Sequence, residues 1–180
     1  MVKLVFISMV GVIFWPVLEY CIHRFLGHEW MLKTPFRTEH QKHHSVKDFF
    51  APASYKAATA VLVVSILTFL GSFFVGALNT FVFVTSFVAM YLFYEWTHYS
   101  FHAYAPKTKL GASLRRHHFS HHFHNAKFNY GVTSTVFDSV FKTYKESKKV
   151  RVPKMFAMRW LFDSNGKLKS EFSDDYEVSS

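Results

Sequence analysis

The sequence has little cysteine, and Cys21 is its single thiol. An intramolecular disulfide is therefore excluded, and so is a metal centre built only from cysteine ligands. This use of cysteine is consistent with a functional region on the reducing side of a membrane. The chain also lacks a basic nucleic-acid recognition motif, so its net charge of +9 does not indicate a nucleic-acid partner.

Charged side chains are missing from two long apolar segments. Residues 57–94 contain none, and neither do residues 4–18. A spanning helix needs roughly 20 predominantly apolar residues, so the longer segment suffices for two crossings with a turn at residues 76–79. The first segment could also be a signal peptide, but no small-residue cleavage site follows it, and we interpret it as a retained helix. The sequence thus predicts three membrane helices, at about residues 4–22, 57–75 and 80–99.

Positive charge is distributed unevenly about these helices. All of the 21 lysines and arginines except Lys3 fall within residues 24–56 and 104–180. The positive-inside rule places both segments on the cytoplasmic face, of either a bacterial inner membrane or the endoplasmic reticulum. The net charge then reflects topology and contact with anionic lipid head groups.

The twelve histidines form two similar arrangements, in residues 23–44 and 98–124. Each begins with a spaced pair at the end of a membrane helix and continues with an HxxHH box. On a helix, residues at i, i+3 and i+4 share one face, so each box presents three imidazoles together. The histidines of this layout are His23, His28, His40, His43, His44, His98, His102, His118, His121 and His122.

These spacings are typical of metal ligands. His98 and His102 share a helix face, whereas His23 and His28, five residues apart, would diverge on a regular α-helix. We therefore expect a helix end or a π-type bulge between His23 and His28. Ten imidazoles are too many for one ion, which predicts two metal ions, and imidazole suits zinc, copper, iron and nickel.

Other polar residues are candidates for supporting roles. A ligating imidazole normally donates its second N–H to a carboxylate or a carbonyl. Glu19 and Glu95 precede the two spaced pairs by four and three residues, and Asp138 is a third candidate partner. Glu19 and Glu95 could instead pair with Arg24 or another cation. His117 and His124 flank the second box and are candidates for additional ligands or for partners of ligands.

Four segments together resemble a known family. They are residues 19–28, 40–44, 117–122 and 130–143. The pattern resembles the fatty acid hydroxylase and sterol desaturase superfamily of membrane di-iron enzymes. It is most similar to the fatty acid 2-hydroxylases, because of the HxxxH spacing at 98–102 and the doubled His117-His118. Carotenoid β-ring hydroxylases and sterol desaturases share the boxes and remain alternatives.

The resemblance implies a function and a fold. The ten box histidines would bind two irons, for which zinc can substitute in a purified protein, and O2 would be the co-substrate for hydroxylation of a lipid C–H bond. The metal centre itself would be the catalytic group, without a separate acid or base. The implied fold is an all-α integral membrane protein of three to four transmembrane helices, capped by a cytosolic helical histidine-box domain. A fourth membrane-associated helix would fall near residues 49–56 or 128–144.

Two further expectations concern partners and boundaries. The chain lacks the His-Pro-Gly-Gly motif of a fused haem electron carrier, so electrons would come from an external electron-transfer protein. A single domain is expected over residues 1–162, followed by a polar, flexible tail at 163–180. The competing interpretation is a membrane protein that transports or binds metal ions. Transporters generally place ligands near the bilayer midplane, whereas these histidines lie at predicted helix ends.

Overall fold

The computed structural model of the protein describes residues 1–30 and 32–179. Six α-helices and a π-helix dominate it, and a short two-stranded sheet lies near the C-terminus. The elements in chain order are α1 (Val2–Cys21), the π-helix (Ile22–Glu29), α2 (Pro35–Ser45), α3 (Ala53–Val75), α4 (Ala77–Ala103), α5 (Lys109–Phe123), α6 (Val136–Val140), β1 (Val150–Pro153) and β2 (Tyr176–Ser179).

Three helices are long and apolar enough to cross a membrane, as the sequence predicts: α1 with the π-helix, α3 and α4. Their apolar side chains are widely exposed. Phe69 and Phe73 on α3 are 76% and 81% exposed, and no residue of α3 is buried. Such surfaces are stable in lipid and costly in water. The chain is therefore an integral membrane protein.

The α3–α4 hairpin turns more tightly than predicted. The expected turn at residues 76–79 is reduced to Gly76, and α4 begins at Ala77. Gly76 has a φ of +83°, a left-handed conformation that glycine adopts without steric cost. Asn79 then donates a hydrogen bond of 2.6 Å from its side chain to the carbonyl of Val75. This bond satisfies one of the free carbonyl groups at the end of α3.

Close packing of α1 on α4 sets the positions of the two helices that carry the spaced histidine pairs. A Cβ atom at Gly11 would lie 2.6 Å from the carbonyl oxygen of Phe83, so glycine permits this approach. The hydroxyl groups of Ser8 and Ser86 are 2.8 Å apart. Further along, the Trp15 ring packs edge-on against Phe87. Small residues at membrane helix interfaces allow this kind of close contact.

The described residues contain no fourth membrane-crossing helix. In the predicted region 128–144, helix α6 has 5 residues, or about 7.5 Å of length against a hydrocarbon core of about 30 Å. In the other predicted region, 49–56, the chain is irregular until α3 begins at Ala53. The lower of the two predicted helix numbers thus agrees with the structure.

The predicted distortion between His23 and His28 is confirmed. Residues Ile22–Glu29 form a π-helix, in which i→i+5 hydrogen bonds bring residues five apart onto one face. The two imidazole rings consequently lie with centroids 5.3 Å apart. At the end of this segment, Arg24 and Glu29 form an ion pair of 2.7 Å.

The prediction of a flexible tail at 163–180 is wrong for the described residues 163–179. This segment folds back on α5, and β2 pairs in parallel with β1, with Val150 opposite Tyr176. Phe172 and Tyr176 enter the main apolar core together with Trp160. The acidic residues of the segment led to the prediction of a flexible tail, but its two aromatic side chains bury enough apolar surface to order it. The small sheet is also a departure from the expected all-α fold.

Candidate metal centre

Ten histidines converge where the ends of α1 and α4 meet α2 and α5, and they separate into two groups of five. Within each group the candidate ligand atoms all lie within 4.8 Å of one another. We refer to them as group one and group two. Group one contains His23, His28, His40, His44 and His121, and group two contains His43, His98, His102, His118 and His122.

Each group takes four of its histidines from one half of the chain and the fifth from the other half. Group one takes the spaced pair and the first and last histidines of the first box, but its fifth member, His121, is the middle histidine of the second box. Group two mirrors this arrangement and takes His43 from the first box. Between the groups, the rings of His44 and His122 stack with centroids 4.0 Å apart. The internal two-part layout of the sequence thus recurs in the composition of the two groups.

Local sequence signals define the helices that carry the boxes. Thr34 caps α2 by accepting a hydrogen bond from the backbone N–H of Arg37 at 3.1 Å, with Pro35 in the first turn. Thr108 caps α5 in the same way, accepting from the N–H of Gly111 at 3.0 Å. Threonine caps and an early proline are strong helix-start signals. Both helices therefore begin at fixed points, which sets the rotation of each box.

A buried arginine joins α5 to the end of α4. Arg115 is 6% exposed and donates hydrogen bonds to the carbonyl groups of Ser100 and Tyr104 at 3.1 and 3.2 Å. Its guanidinium group also lies 4.8 Å from the centroid of the Phe101 ring. These contacts fix the second box beside the His98/His102 pair.

The spacing of the imidazole nitrogens fits metal coordination. The Nε2 atoms of His28 and His40 are 2.8 Å apart, those of His28 and His121 are 3.0 Å apart, and those of His102 and His118 are 3.0 Å apart. With a metal–nitrogen distance of about 2.1 Å, neighbouring ligands lie about 3 Å apart and opposite ligands about 4.2 Å apart. Each group is therefore close to the size that a single ion requires.

Several buried nitrogens have no other partner among the described residues. The Nε2 atoms of His23, His43, His44 and His122 are buried without a hydrogen bond. Leaving a buried polar atom unpaired costs about 1–3 kcal/mol. A metal ion bound by these nitrogens would remove that cost, so the residues present fit a two-ion centre.

Backbone carbonyls fix the orientation of three imidazoles. The Nδ1 atoms of His23, His43 and His121 donate to the carbonyls of Tyr130, Phe49 and Phe128, at 2.5, 2.7 and 2.7 Å. Because a carbonyl only accepts, each Nδ1 carries the proton and each Nε2 presents its lone pair to the group. These acceptors cannot be recognised in the sequence, since every residue has a carbonyl and no side chain marks the ones that are used.

Burial keeps the imidazoles of the two boxes in the neutral form that binds metal. It lowers the pKa of His43 to about 4 and that of His44 to about 2. Burial, followed by the proximity of other histidines, also lowers the pKa of His118, His121 and His122 well below the ordinary value. At neutral pH these side chains have lone pairs available without first losing a proton.

The three candidate carboxylates occupy other positions. Among the described residues, none of them hydrogen-bonds a histidine of either group. Glu95 forms an ion pair of 2.5 Å with Lys56. This agrees with the alternative prediction, in which the carboxylate pairs with a cation and not with a histidine. Glu19 accepts hydrogen bonds from residues 132 and 133, and Asp138 contacts His117 at 3.0 Å. Glu19 and Asp138 can therefore position the histidines of the two groups only indirectly, through the backbone of residues 130–133.

Glu19 and Asp138 together hold the segment 130–133 against the end of α1. Asp138 accepts from the backbone N–H groups of Tyr130 and Gly131 at 2.9 and 2.8 Å. Glu19 accepts from the N–H and the hydroxyl of Thr133 at 3.2 and 2.7 Å, and from the N–H of Val132 at 2.6 Å. Tyr130 is also the residue whose carbonyl accepts from His23. We call this arrangement the carboxylate clamp.

The substitution Glu19→Ala tests one half of the clamp. It removes both carboxyl oxygens, so the backbone N–H groups of Val132 and Thr133 and the hydroxyl of Thr133 all lose their acceptor. We expect a loss of about 1–3 kcal/mol of stability, together with weaker metal retention in group one. Thermal unfolding and metal analysis in the same detergent measure both effects. Unchanged values in both measurements would exclude a role for this carboxylate in holding the segment.

His117 and His124 lie outside both groups. His117 is buried, contacts Asp138 and stacks on the ring of Tyr144 with centroids 5.5 Å apart. His124 is exposed, and its Nε2 accepts a hydrogen bond of 2.9 Å from the backbone N–H of Arg151. The structure therefore gives His117 a place in the clamp and His124 a place at the start of β1.

Comparison with known proteins gives independent information. The dihydroceramide fatty acyl 2-hydroxylase FAH2 of Arabidopsis thaliana is 32% identical over 138 residues, which cover 74% of this chain and 58% of that protein. The ceramide very long chain fatty acid hydroxylase scs7 of Schizosaccharomyces pombe is 30% identical over 74% of this chain and 41% of its own length. Human fatty acid 2-hydroxylase is 28% identical over 78% of this chain and 40% of its own length. The chain thus matches less than two thirds of each of these relatives.

A solved structure shares the fold. Full-length scs7p, in which only the hydroxylase domain is visible, superposes with a TM-score of 0.66 and 22% identity. The superposition covers 81% of this chain and 57% of that one. The sequence profile of the fatty acid hydroxylase family matches residues 8–143, a range that includes all ten histidines of the two groups and both carboxylates of the clamp. The chain belongs to the fatty acid hydroxylase family.

Proposed function

We propose that this protein hydroxylates an aliphatic C–H bond of a membrane lipid, with the ten histidines of groups one and two as ligands to two iron ions. The observation that carries the proposal is the pair of five-imidazole groups at the ends of lipid-exposed helices. An imidazole ligand set suits iron among the transition metals, and membership of the fatty acid hydroxylase family favours iron over zinc or copper.

The substrate we propose is the acyl chain of a fatty acid or a ceramide, oxidised at carbon 2. The support comes from the relatives, which are named as fatty acid 2-hydroxylases and as a dihydroceramide fatty acyl 2-hydroxylase. An acyl chain would reach the groups from the bilayer, because the helices that carry the spaced pairs expose apolar side chains such as Phe6 and Phe93 on their outer faces. The asymmetry of lysine and arginine supports a metal centre on the cytoplasmic face.

Bound iron would supply the activation of O2. The reaction consumes one O2, two electrons and two protons, forms one C–O bond and releases one water. The two electrons do not come from the lipid substrate, so the proposal includes an external electron-transfer protein that supplies them. The part of the protein is to hold the imidazoles neutral and oriented, through burial and through the carbonyls of Phe49, Phe128 and Tyr130. Burial of the histidines also excludes bulk water from the reaction.

The position of the ligands supports an enzyme over a metal transporter. Transporters place ions near the bilayer midplane on interrupted helices. Here groups one and two gather at one end of α1 and α4, and each would hold its ion with five imidazoles, which suits retention better than release.

The direct test is incorporation of oxygen. We expect the iron-loaded protein, in nanodiscs containing ceramide and with dithionite as the electron source, to place one 18O atom from 18O2 in a 2-hydroxyacyl product detected by mass spectrometry. The variant His122→Ala should form less than about one hundredth of this product, because one ion loses a ligand. A new double bond without 18O would indicate desaturation instead. Absence of any oxidised lipid from iron-loaded protein would contradict the proposal.

A further inference from the structure

A basic surface cavity lies next to group one, on the other side of Phe128. Its volume is about 380 Å³, and it opens between the C-terminal end of α5 and the segment 145–149. Three lysines line it, Lys145, Lys148 and Lys149, against one acidic residue, Glu146. Among the described residues none of these lysines forms an ion pair. We call this cavity the basic pocket.

The wall between the basic pocket and group one is one residue thick. Phe128 lines the pocket, and its carbonyl accepts the hydrogen bond of 2.7 Å from Nδ1 of His121. Ser120, the neighbour of His121 on α5, lines the pocket as well. The ammonium group of Lys145 lies 5.3 Å from the centroid of the Phe128 ring. A molecule seated in the pocket would therefore be separated from a group-one imidazole by Phe128 alone.

Hydrogen bonds anchor the lysine segment at residues 145 and 147. The side chain of Asn129 donates to the carbonyl of Lys145 at 2.9 Å and accepts from the N–H of Lys145 at 2.7 Å. The hydroxyl of Ser147 donates to that of Ser120 at 2.6 Å. Backbone anchored at these two residues loses less conformational entropy when a partner binds than a free loop would.

From this arrangement we propose that the basic pocket is the docking surface for an acidic one-electron carrier protein, which passes electrons through the Phe128 wall to the metal bound by group one. The inference rests on the proposed function, since hydroxylation needs two electrons from outside the substrate. The carrier is oxidised by one electron in each of two encounters, and the two electrons and two protons reduce one oxygen atom of O2 to water.

Charge complementarity and shape both indicate a protein partner. A cluster of unpaired lysines attracts a partner with an acidic surface and accelerates its association. A lipid head-group layer is flat and is contacted by protruding side chains, whereas a concave pocket accommodates a convex protein surface. Electron transfer falls steeply with distance, so the short Phe128 path is useful for a redox protein and has no use for a lipid.

The test compares two charge-reversal variants of equal net charge. Lys148→Glu with Lys149→Glu alters the basic pocket, and Lys107→Glu with Lys109→Glu alters the other end of α5. Lys109 is roughly 18 Å from His121 along the helix axis. Both pairs are exposed, so neither substitution disturbs buried packing. The probe is an acidic [2Fe–2S] ferredoxin, with the hydroxylase held in phosphatidylcholine nanodiscs.

Binding of the ferredoxin gives a readout that is independent of catalysis. We expect the pocket variant to weaken the affinity about tenfold or more at low ionic strength, and the α5 variant to weaken it less than about twofold. Raising the salt concentration to shorten the Debye length below about 8 Å should remove most of the difference. Equal weakening in the two variants would overturn the proposal, because net charge alone would then explain the binding.

Electron delivery gives the second readout. In iron-loaded protein we expect the ratio of ferredoxin-driven to dithionite-driven reduction to fall about tenfold in the pocket variant, since dithionite needs no docking surface. An unchanged ratio would overturn the inference. If soluble glycerophosphoserine displaces ferredoxin from the unmodified protein more strongly than sodium chloride of equal ionic strength does, the pocket binds lipid head groups and the inference is also wrong. Failure of dithionite itself to support hydroxylation would contradict the proposed function and leave the binding result intact.

Discussion

Replacing His121 and His122 together by alanine is expected to remove most of the metal, from about two irons per chain to less than about 0.2. The two residues are adjacent, yet they belong to different groups, His121 to group one and His122 to group two. The double variant therefore removes one imidazole from each ion. It also leaves a buried void beside the stacked ring of His44. Mass spectrometry of anaerobically purified protein measures the iron directly.

A matched control is available on the same helix end. His124 is exposed and lies outside both groups, so His124→Ala should retain the iron content of the unmodified protein. The single variants should each affect one ion, and His43→Ala, although it lies in the first box, should weaken the same ion as His122→Ala. Mössbauer spectra of 57Fe-loaded protein distinguish the two sites. Iron content that is unaffected by the double substitution would refute the assignment of these histidines as ligands.

Replacing Asp138 by alanine is expected to destabilise the protein by about 3–5 kcal/mol. The side chain is fully buried and accepts from Tyr130, Gly131, Thr143 and His117. Burial raises the pKa of its carboxyl group, but the hydrogen bonds from His117, Gly131 and Thr143 hold it below the ordinary value. Alanine would leave these buried donors unpaired.

Thermal unfolding in detergent, followed by circular dichroism, measures this loss. Asp174→Ala is the control, because Asp174 is exposed and forms no ion pair within the described chain. The conservative variant Asp138→Asn keeps one acceptor oxygen and should fall between the two. Since the clamp also orients the carbonyl that binds His23, iron in group one should be lost before iron in group two. Equal stability of Asp138→Ala and Asp174→Ala would show that the clamp contributes nothing.

The fold of the membrane region could be predicted because its signals are local. Charge-free segments of sufficient length define the three helices, and the five-residue spacing of His23 and His28 predicts a helix end or a π-type bulge, of which the structure shows the second. Ordering of residues 163–179 could not be predicted, because it depends on Phe172 and Tyr176 reaching Trp160 across the fold. Such contacts are long-range and leave no periodic pattern.

In the candidate site, too, the local features could be predicted and the long-range ones could not. The ten histidines are recognisable from spacing alone, since helix geometry dictates which of them share a face. Their division into two groups is not recognisable, because it depends on how α2 and α5 meet. The spacing of the sequence also predicts that Glu19 partners His23, four residues further along. In the structure the Glu19 carboxyl group instead accepts from the backbone N–H groups of residues 132 and 133, which have no other partner at this point in the fold.

The exchange of His43 and His121 between the groups has a consequence for biosynthesis. A ribosome releases the first box well before the second, so the emerging N-terminal half presents only four members of group one. The carbonyl that orients His23 is synthesised later still, at Tyr130. Neither half therefore contains a complete group, and each part of a chain broken within the α3–α4 hairpin would hold four members of one group and one of the other. For the proposed iron centre, completion of either ligand group is therefore a late step, which requires that both halves of the membrane domain have been made and assembled.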